Sequence, residues 1–200
     1  MLAEYSYPRV SPMKQALIVV DVQESFRRRP YWRADELPAF LKNVQSLIDL
    51  SGARGIPIVQ VFHENPTSDA SDPFSRSSRF VRPMPELSLR ADAVFYKHVH
   101  SAMFAQTLDG VTLEDWLRHR AVEEVLVTGI RTEQCCETTT RHASDLGFKV
   151  RYVTDATLTF PMQSPSGREF SPAEIRERTE LVLDGRFARI VTTAQALEPV

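Results

Sequence analysis

The chain has 200 residues, enough for one domain of ordinary size with a real hydrophobic core. Hydrophobic residues make up 42% and charged residues 25%, which excludes a disordered or fibrous chain. The net charge of -2 leaves no basic excess for nucleic acid or a membrane surface, and no apolar run approaches the roughly 20 residues of a bilayer span.

Residues 1–15 read as a short arm ahead of a single domain over 16–200. Met1 to Lys14 lacks the apolar core of a signal peptide. The one cationic cluster, Arg27-Arg28-Arg29, reads as a solvated loop. Cys135 and Cys136 are sequence neighbours. Their Cα atoms are then about 3.8 Å apart, closer than an ordinary disulfide prefers, so reduced thiols and a cytoplasmic location are expected.

In chain order, Ala16 to Val20 is a continuous apolar run, as expected of a parallel strand covered on both faces. It ends at Asp21, and a polar loop carries Phe26, Tyr31 and Trp32. Phe40, Leu41, Val44, Leu47 and Ile48 recur at helical spacing, which predicts a helix over Leu37 to Ala53. A second strand is expected from Pro57 to Phe62, closed by His63. Glu64 to Arg90 is broken by Pro66, Pro73, Pro83 and Pro85, and reads as a long loop, a lid or an oligomer contact. A third strand, Ala93 to Tyr96, leads to Lys97, and a helical piece spans Leu113 to Arg120. The fourth strand is Glu124 to Val127, with a helix from about Glu133 to Leu146. A fifth strand runs from Lys149 to Val153. Ser171-Pro172-Ala173-Glu174 is a capping-box pattern that opens a helix reaching about Asp184. A sixth strand, Arg189 to Val191, precedes a short terminal helix capped by Thr193. This alternation predicts an α/β fold, a three-layer α/β/α arrangement around a six-stranded, mostly parallel open sheet. The site then belongs at the carboxyl ends of the strands, where the strand order reverses.

Three chemically useful residues fall there: Asp21 after the first strand, Lys97 after the third and the cysteines after the fourth. A thiol that attacks carbon, a carboxylate that moves the proton and a cation that steadies the charges form a covalent-catalysis set. Each has a plainer reading: a turn cap for Asp21, a solvated strand end for Lys97, core packing for a cysteine. A helix N-terminus beside the thiols is expected to favour thiolate. Cys136, Thr140, Ala143 and Gly147 form a stripe of small residues that faces the sheet, so Cys136 reads as packed and Cys135 as the nucleophile.

These motifs resemble the isochorismatase-like cysteine hydrolase superfamily, which includes nicotinamidases, N-carbamoylsarcosine amidohydrolases and isochorismatases. The resemblance lies in Asp21-Val22-Gln23 with Phe26; in Lys97 followed by Ser101-Ala102-Met103-Phe104; and in Thr128-Gly129-Ile130-Arg131-Thr132-Glu133-Gln134-Cys135 with Thr139. It implies a Rossmann-like hydrolase fold and a catalytic triad of Asp21, Lys97 and Cys135. It also implies a cis peptide between Ile130 and Arg131, and an oxyanion hole from the N–H groups of Arg131 and Cys135. The expected activity is cysteine-dependent cleavage of a C–N bond in a small amide, carbamoyl or ureido substrate. Vinyl-ether hydrolysis and a catalytically idle binding or assembly role are the alternatives. Gln23, Phe26, Trp32, Arg131 and Phe160 are the expected substrate contacts, with Arg131 facing either an anionic substrate group or solvent. The Asp-x-His metal pair of nicotinamidases has no counterpart in Val61 to Asn65. No metal and no cofactor are therefore expected, and His63 reads as a strand-end histidine. The expected partners are a small-molecule substrate and further copies of the chain, as a homodimer or homotetramer, with no nucleic acid and no membrane.

Overall fold

A computed structural model of the protein describes residues 14–196 and 198. The expected arm lies outside the described residues, apart from its last two positions. The elements are β1 (Gln15–Val20), α1 (Leu37–Ala53), β2 (Ile58–His63), β3 (Ala93–Lys97), α2 (Leu113–His119) and β4 (Glu124–Ile130). They continue with α3 (Glu137–Asp145), β5 (Lys149–Leu158), a small ribbon of β6 (Met162–Gln163) and β7 (Glu169–Phe170), α4 (Pro172–Leu183) and β8 (Arg189–Val191).

Six strands form one sheet in the order β3-β2-β1-β4-β5-β8, and every neighbouring pair is parallel. The chain builds outward from β1 to β3, then returns and builds the other way from β4 to β8. The order therefore reverses between β1 and β4, and a crevice opens at their carboxyl ends. The continuous apolar strands are explained by burial on both faces. Ala16, Ile18 and Val20 of β1 pack with Leu113, Trp116 and Leu117 of α2 and with Cys136 and Ala143. Leu17 and Val19 point the other way, onto Phe40, Val44, Leu47 and Ile48 of α1. Complete burial of a side chain such as Leu47 contributes about 1.5–3 kcal/mol.

Three expectations are corrected. Cys135 and Cys136 do not lie in the first turn of an α-helix. They lie in a wider π-type turn, Thr132–Cys136, closed by the Cys136 N–H donating to the Arg131 carbonyl at 3.1 Å. The α-helix starts only at Glu137. β4 and β5 run on to Ile130 and Leu158, because the Thr128 hydroxyl bonds the Ala156 carbonyl across a register shift between Val127 and Gly129. Polar residues in both extensions hide them from the sequence pattern. Thr193 lies in a turn, where its N–H and hydroxyl donate to Asp155 Oδ1 at 2.7 and 2.8 Å, tying the chain end to β5. The Glu64–Arg90 segment is packed down as a wall: Phe74, Met84 and Leu87 are buried in the core, and Arg76 grips Glu64 through two hydrogen bonds of 2.7 and 2.8 Å.

Candidate active site

Three strand ends deliver three side chains to the crevice. Asp21 leaves β1 in the left-handed region, at φ 54°, which aspartate tolerates better than most residues. Its N–H donates to the Val61 carbonyl at 2.9 Å, fixing the turn against β2. Gly129 sits beside Val20 in the β1–β4 register with φ 134°, and a Cβ there would lie 1.9 Å from the Val20 carbonyl oxygen. Only glycine lets β4 pass so close, and the sulfur-bearing turn follows directly. The Ile130–Arg131 peptide at the start of that turn is cis.

Lys97, 1% exposed, is where these elements meet. Its Nζ lies 2.7 Å from Asp21 Oδ2, 3.1 Å from the Val99 carbonyl oxygen, 3.1 Å from His63 Nδ1 and 3.4 Å from Cys135 Sγ. Burial opposes the charged ammonium, but the Asp21 carboxylate and the Cys135 sulfur outweigh it and hold the Lys97 pKa above its ordinary value. Burial and the Lys97 charge hold His63 below its ordinary value, so its neutral ring accepts from the ammonium. Burial and the Asp21 carboxylate push the Cys135 thiol up to about 12, against the pull of Lys97. The resting site is therefore a thiol beside an ion pair, which corrects the expectation of a thiolate at a helix N-terminus.

Asp21, His63 and Cys135 present their ligand-type atoms within 4.8 Å of one another. That spatial clustering was invisible in the sequence, where His63 has no partner at ligand spacing. The three converge on the Lys97 ammonium, which already supplies the positive charge they can bind. A metal ion does not fit the same nest while that ammonium is in it.

Cys135 opens into a cavity of about 140 Å³ that is also walled by Phe26, Arg29, Tyr31, Phe74 and Gln134. His63, Asn65 and His100 complete it. A wider depression of about 600 Å³ beside β3 includes Lys97 in its wall but not the sulfur.

The expected substrate contacts divide. Phe26 lines the cavity, edge-on to Phe74 at 5.0 Å. Gln23 does not. It is buried, and its amide brackets His63 by accepting from the His63 N–H at 2.8 Å and donating to the His63 carbonyl at 2.9 Å. Trp32 and Phe160 do not line it either; their rings meet at a tilt, with centroids 5.1 Å apart. Arg131 faces neither the cavity nor solvent: it is 7% exposed, ion-paired to Glu133 at 2.9 Å, and covered by Tyr31 and Phe160. Cys136 is fully buried in the core, and Cys135 lines the cavity, as the small-residue stripe predicted. Sequence reasoning missed Arg29, Asn65, Phe74, His100 and Gln134. Gln134 adjoins Cys135 and was within reach of it. Phe74 and Asn65 come from the irregular segment, where no periodicity reports which way a side chain faces.

The fold agrees with what the chain is similar to. The isochorismatase domain model matches residues 15–195. The uncharacterized isochorismatase family protein YrdC of Bacillus subtilis is 28% identical over 191 residues, covering 92% of this chain and 95% of that protein. Nicotinamidase 3 of Arabidopsis thaliana is 30% identical over 157 residues, covering 72% and 73%. Among solved structures, a hydrolase assigned to the isochorismatase family from Chromobacterium violaceum superposes with a TM-score of 0.80 at 27% identity, covering 94% of each chain. With the family model spanning nearly the whole described domain, this chain belongs to the isochorismatase family.

Proposed function

We propose that the protein is a cysteine-dependent hydrolase that cleaves a C–N bond of a small amide, carbamoyl or ureido compound without a metal. The observation that carries this reading is the contact of Cys135, Lys97 and Asp21 at the point where the strand order reverses. The similarity to a protein named a nicotinamidase, whose substrate is an amide, supports the bond type.

Burial and the Asp21 carboxylate hold the Cys135 pKa far above neutral, which favours the thiol at pH 7. A preformed thiolate is therefore not the working nucleophile. Asp21 takes the proton from Cys135 as the sulfur attacks the carbonyl carbon, and Lys97 steadies the sulfur and the carboxylate in turn. The N–H groups of Arg131 and Cys135 receive the oxygen of the tetrahedral intermediate, at about 2.7–4 kcal/mol per donor. The intermediate expels ammonia or an amine, which leaves with the proton from Asp21, and a thioester-like acyl group remains on Cys135. Water, activated by the same carboxylate, then releases the acid and restores the thiol. His63 stays neutral and holds the ammonium in place.

Ammonia release from a panel of small amides, carbamoyl and ureido compounds tests the reading, with Cys135→Ala beside wild type. Release that vanishes in the variant is expected. Release that persists in the folded variant overturns the assignment.

A further inference from the structure

The Arg27-Arg28-Arg29 run is not one solvated cluster. Arg27 is ion-paired to Glu86 at 2.6 Å, and Arg28 lies over the Phe80 ring at 4.3 Å. Arg29 alone turns into the wall of the cavity that holds Cys135. We propose that Arg29 determines specificity by binding a carboxylate on the substrate, so that the enzyme acts on small amides or ureido compounds that carry an acid group. This rests on the proposed C–N hydrolysis at the same site.

The guanidinium is held without being saturated. It lies 4.5 Å over the Phe74 ring, which fixes its plane. Its acidic neighbour, Asp72, approaches only to 3.8 Å, beyond hydrogen-bond length. That carboxylate is already occupied: Oδ1 accepts from the Phe74 N–H at 3.0 Å and Oδ2 from the Asn65 amide at 2.7 Å. The donor fork of Arg29 makes no hydrogen bond among the described residues and can take a carboxylate bidentately, with Asp72 as its loose ion-pair partner.

The remaining charges around the cavity cancel. Lys97 is matched by Asp21 and Arg131 by Glu133, while His63 is held neutral by burial and the Lys97 charge. Arg29 is balanced only loosely, by Asp72 at 3.8 Å, and it is the cation of the cavity wall whose side chain makes no hydrogen bond among the described residues. The aromatic rings of Phe26, Tyr31 and Phe74 wall the cavity beside it, with the Arg29 side chain about a third exposed.

The test is calorimetric binding to the Cys135→Ser protein, which cannot form the thioester. The probes are malonamate, succinamate and glutaramate, each against its uncharged diamide. At least one acid is expected to bind on the order of 10- to 100-fold more tightly than its diamide. Adding Arg29→Gln should reduce that preference to within about 3-fold, and Arg29→Lys, which keeps the charge but not the fork, should retain part of it. No preference for any acid in the protein that keeps Arg29 overturns the proposal without need of a folded variant. So does a preference that survives Arg29→Gln. Because binding is read apart from turnover, an absence of ammonia release would count against C–N hydrolysis and leave this result standing on its own.

Discussion

Gly129→Ala tests how the fold makes the site. The added Cβ would stand 1.9 Å from the Val20 carbonyl oxygen, 2.7 Å from its carbon and 2.9 Å from its nitrogen. Strands β1 and β4 must part by about 1.1 Å before the first contact even reaches 3.0 Å, a limit that real Cβ contacts essentially never cross. The obstacle is backbone, so no side-chain rotation relieves it. Holding alanine at φ 134° costs about 1–3 kcal/mol, and overpacking adds about 1–3 kcal/mol. The sum, about 2–6 kcal/mol, is a large part of the roughly 5–15 kcal/mol that stabilises a typical domain. The same displacement separates Asp21, which follows Val20, from the Cys135 turn, which follows Gly129. A misplacement of about 1 Å can lower turnover about 100-fold. Urea unfolding followed by the fluorescence of Trp32 and Trp116, with ammonia release measured on the folded fraction, reads both effects. A stability change below about 0.5 kcal/mol, with turnover intact, would refute the close-passage argument.

Three further outcomes are expected. Lys97→Met should abolish ammonia release and destabilise the fold by about 3–5 kcal/mol, because it strands the fully buried Asp21 carboxylate; adding Asp21→Asn should restore part of the stability and none of the activity. Alkylation of Cys135 by iodoacetamide should keep rising with pH up to pH 10 without levelling near 8.5, and Asp21→Asn should shift the curve to lower pH, since that carboxylate is one of the groups raising the thiol; an unshifted curve would contradict the stated cause. Cys136→Ala removes a fully buried sulfur, so it should cost about 1–2 kcal/mol in unfolding experiments while keeping most of the turnover that Cys135→Ala eliminates.

The sheet was legible because it is buried on both faces. Ala16 to Val20 and Val125 to Val127 are apolar at every position and fully buried, as a parallel strand covered on both faces requires. Helix α1 was legible to the residue, because Phe40, Val44, Leu47 and Ile48 make one stripe against the sheet and Pro38 suits the first turn. The extensions of β4 and β5 were not, because Thr128, Gly129 and Thr157 are buried by hydrogen bonding and close approach rather than by hydrophobicity. The cavity wall was least legible, since Arg29, Asn65 and Phe74 are placed by long-range contacts that leave no period in the sequence.

The state of the sulfur shows the same limit in chemical terms. A cysteine just after a strand and near a helix start suggests a thiolate, because local dipoles are what sequence neighbours reveal. Its true surroundings are set by residues far away in the chain. Asp21, 114 positions earlier, opposes ionisation, while Lys97, 38 positions earlier, favours it. Burial is the largest of these influences, and it keeps the Cys135 pKa raised. The consequence is functional. A stored thiolate would react with any electrophile that enters, whereas in the proposed mechanism a thiol that ionises only as Asp21 accepts its proton reacts chiefly with a carbonyl carbon held in the cavity. Under the proposed mechanism the ion pair would work both as a brake on indiscriminate alkylation and as the proton path for the bound substrate, so Asp21→Asn should raise the first while abolishing turnover of the second.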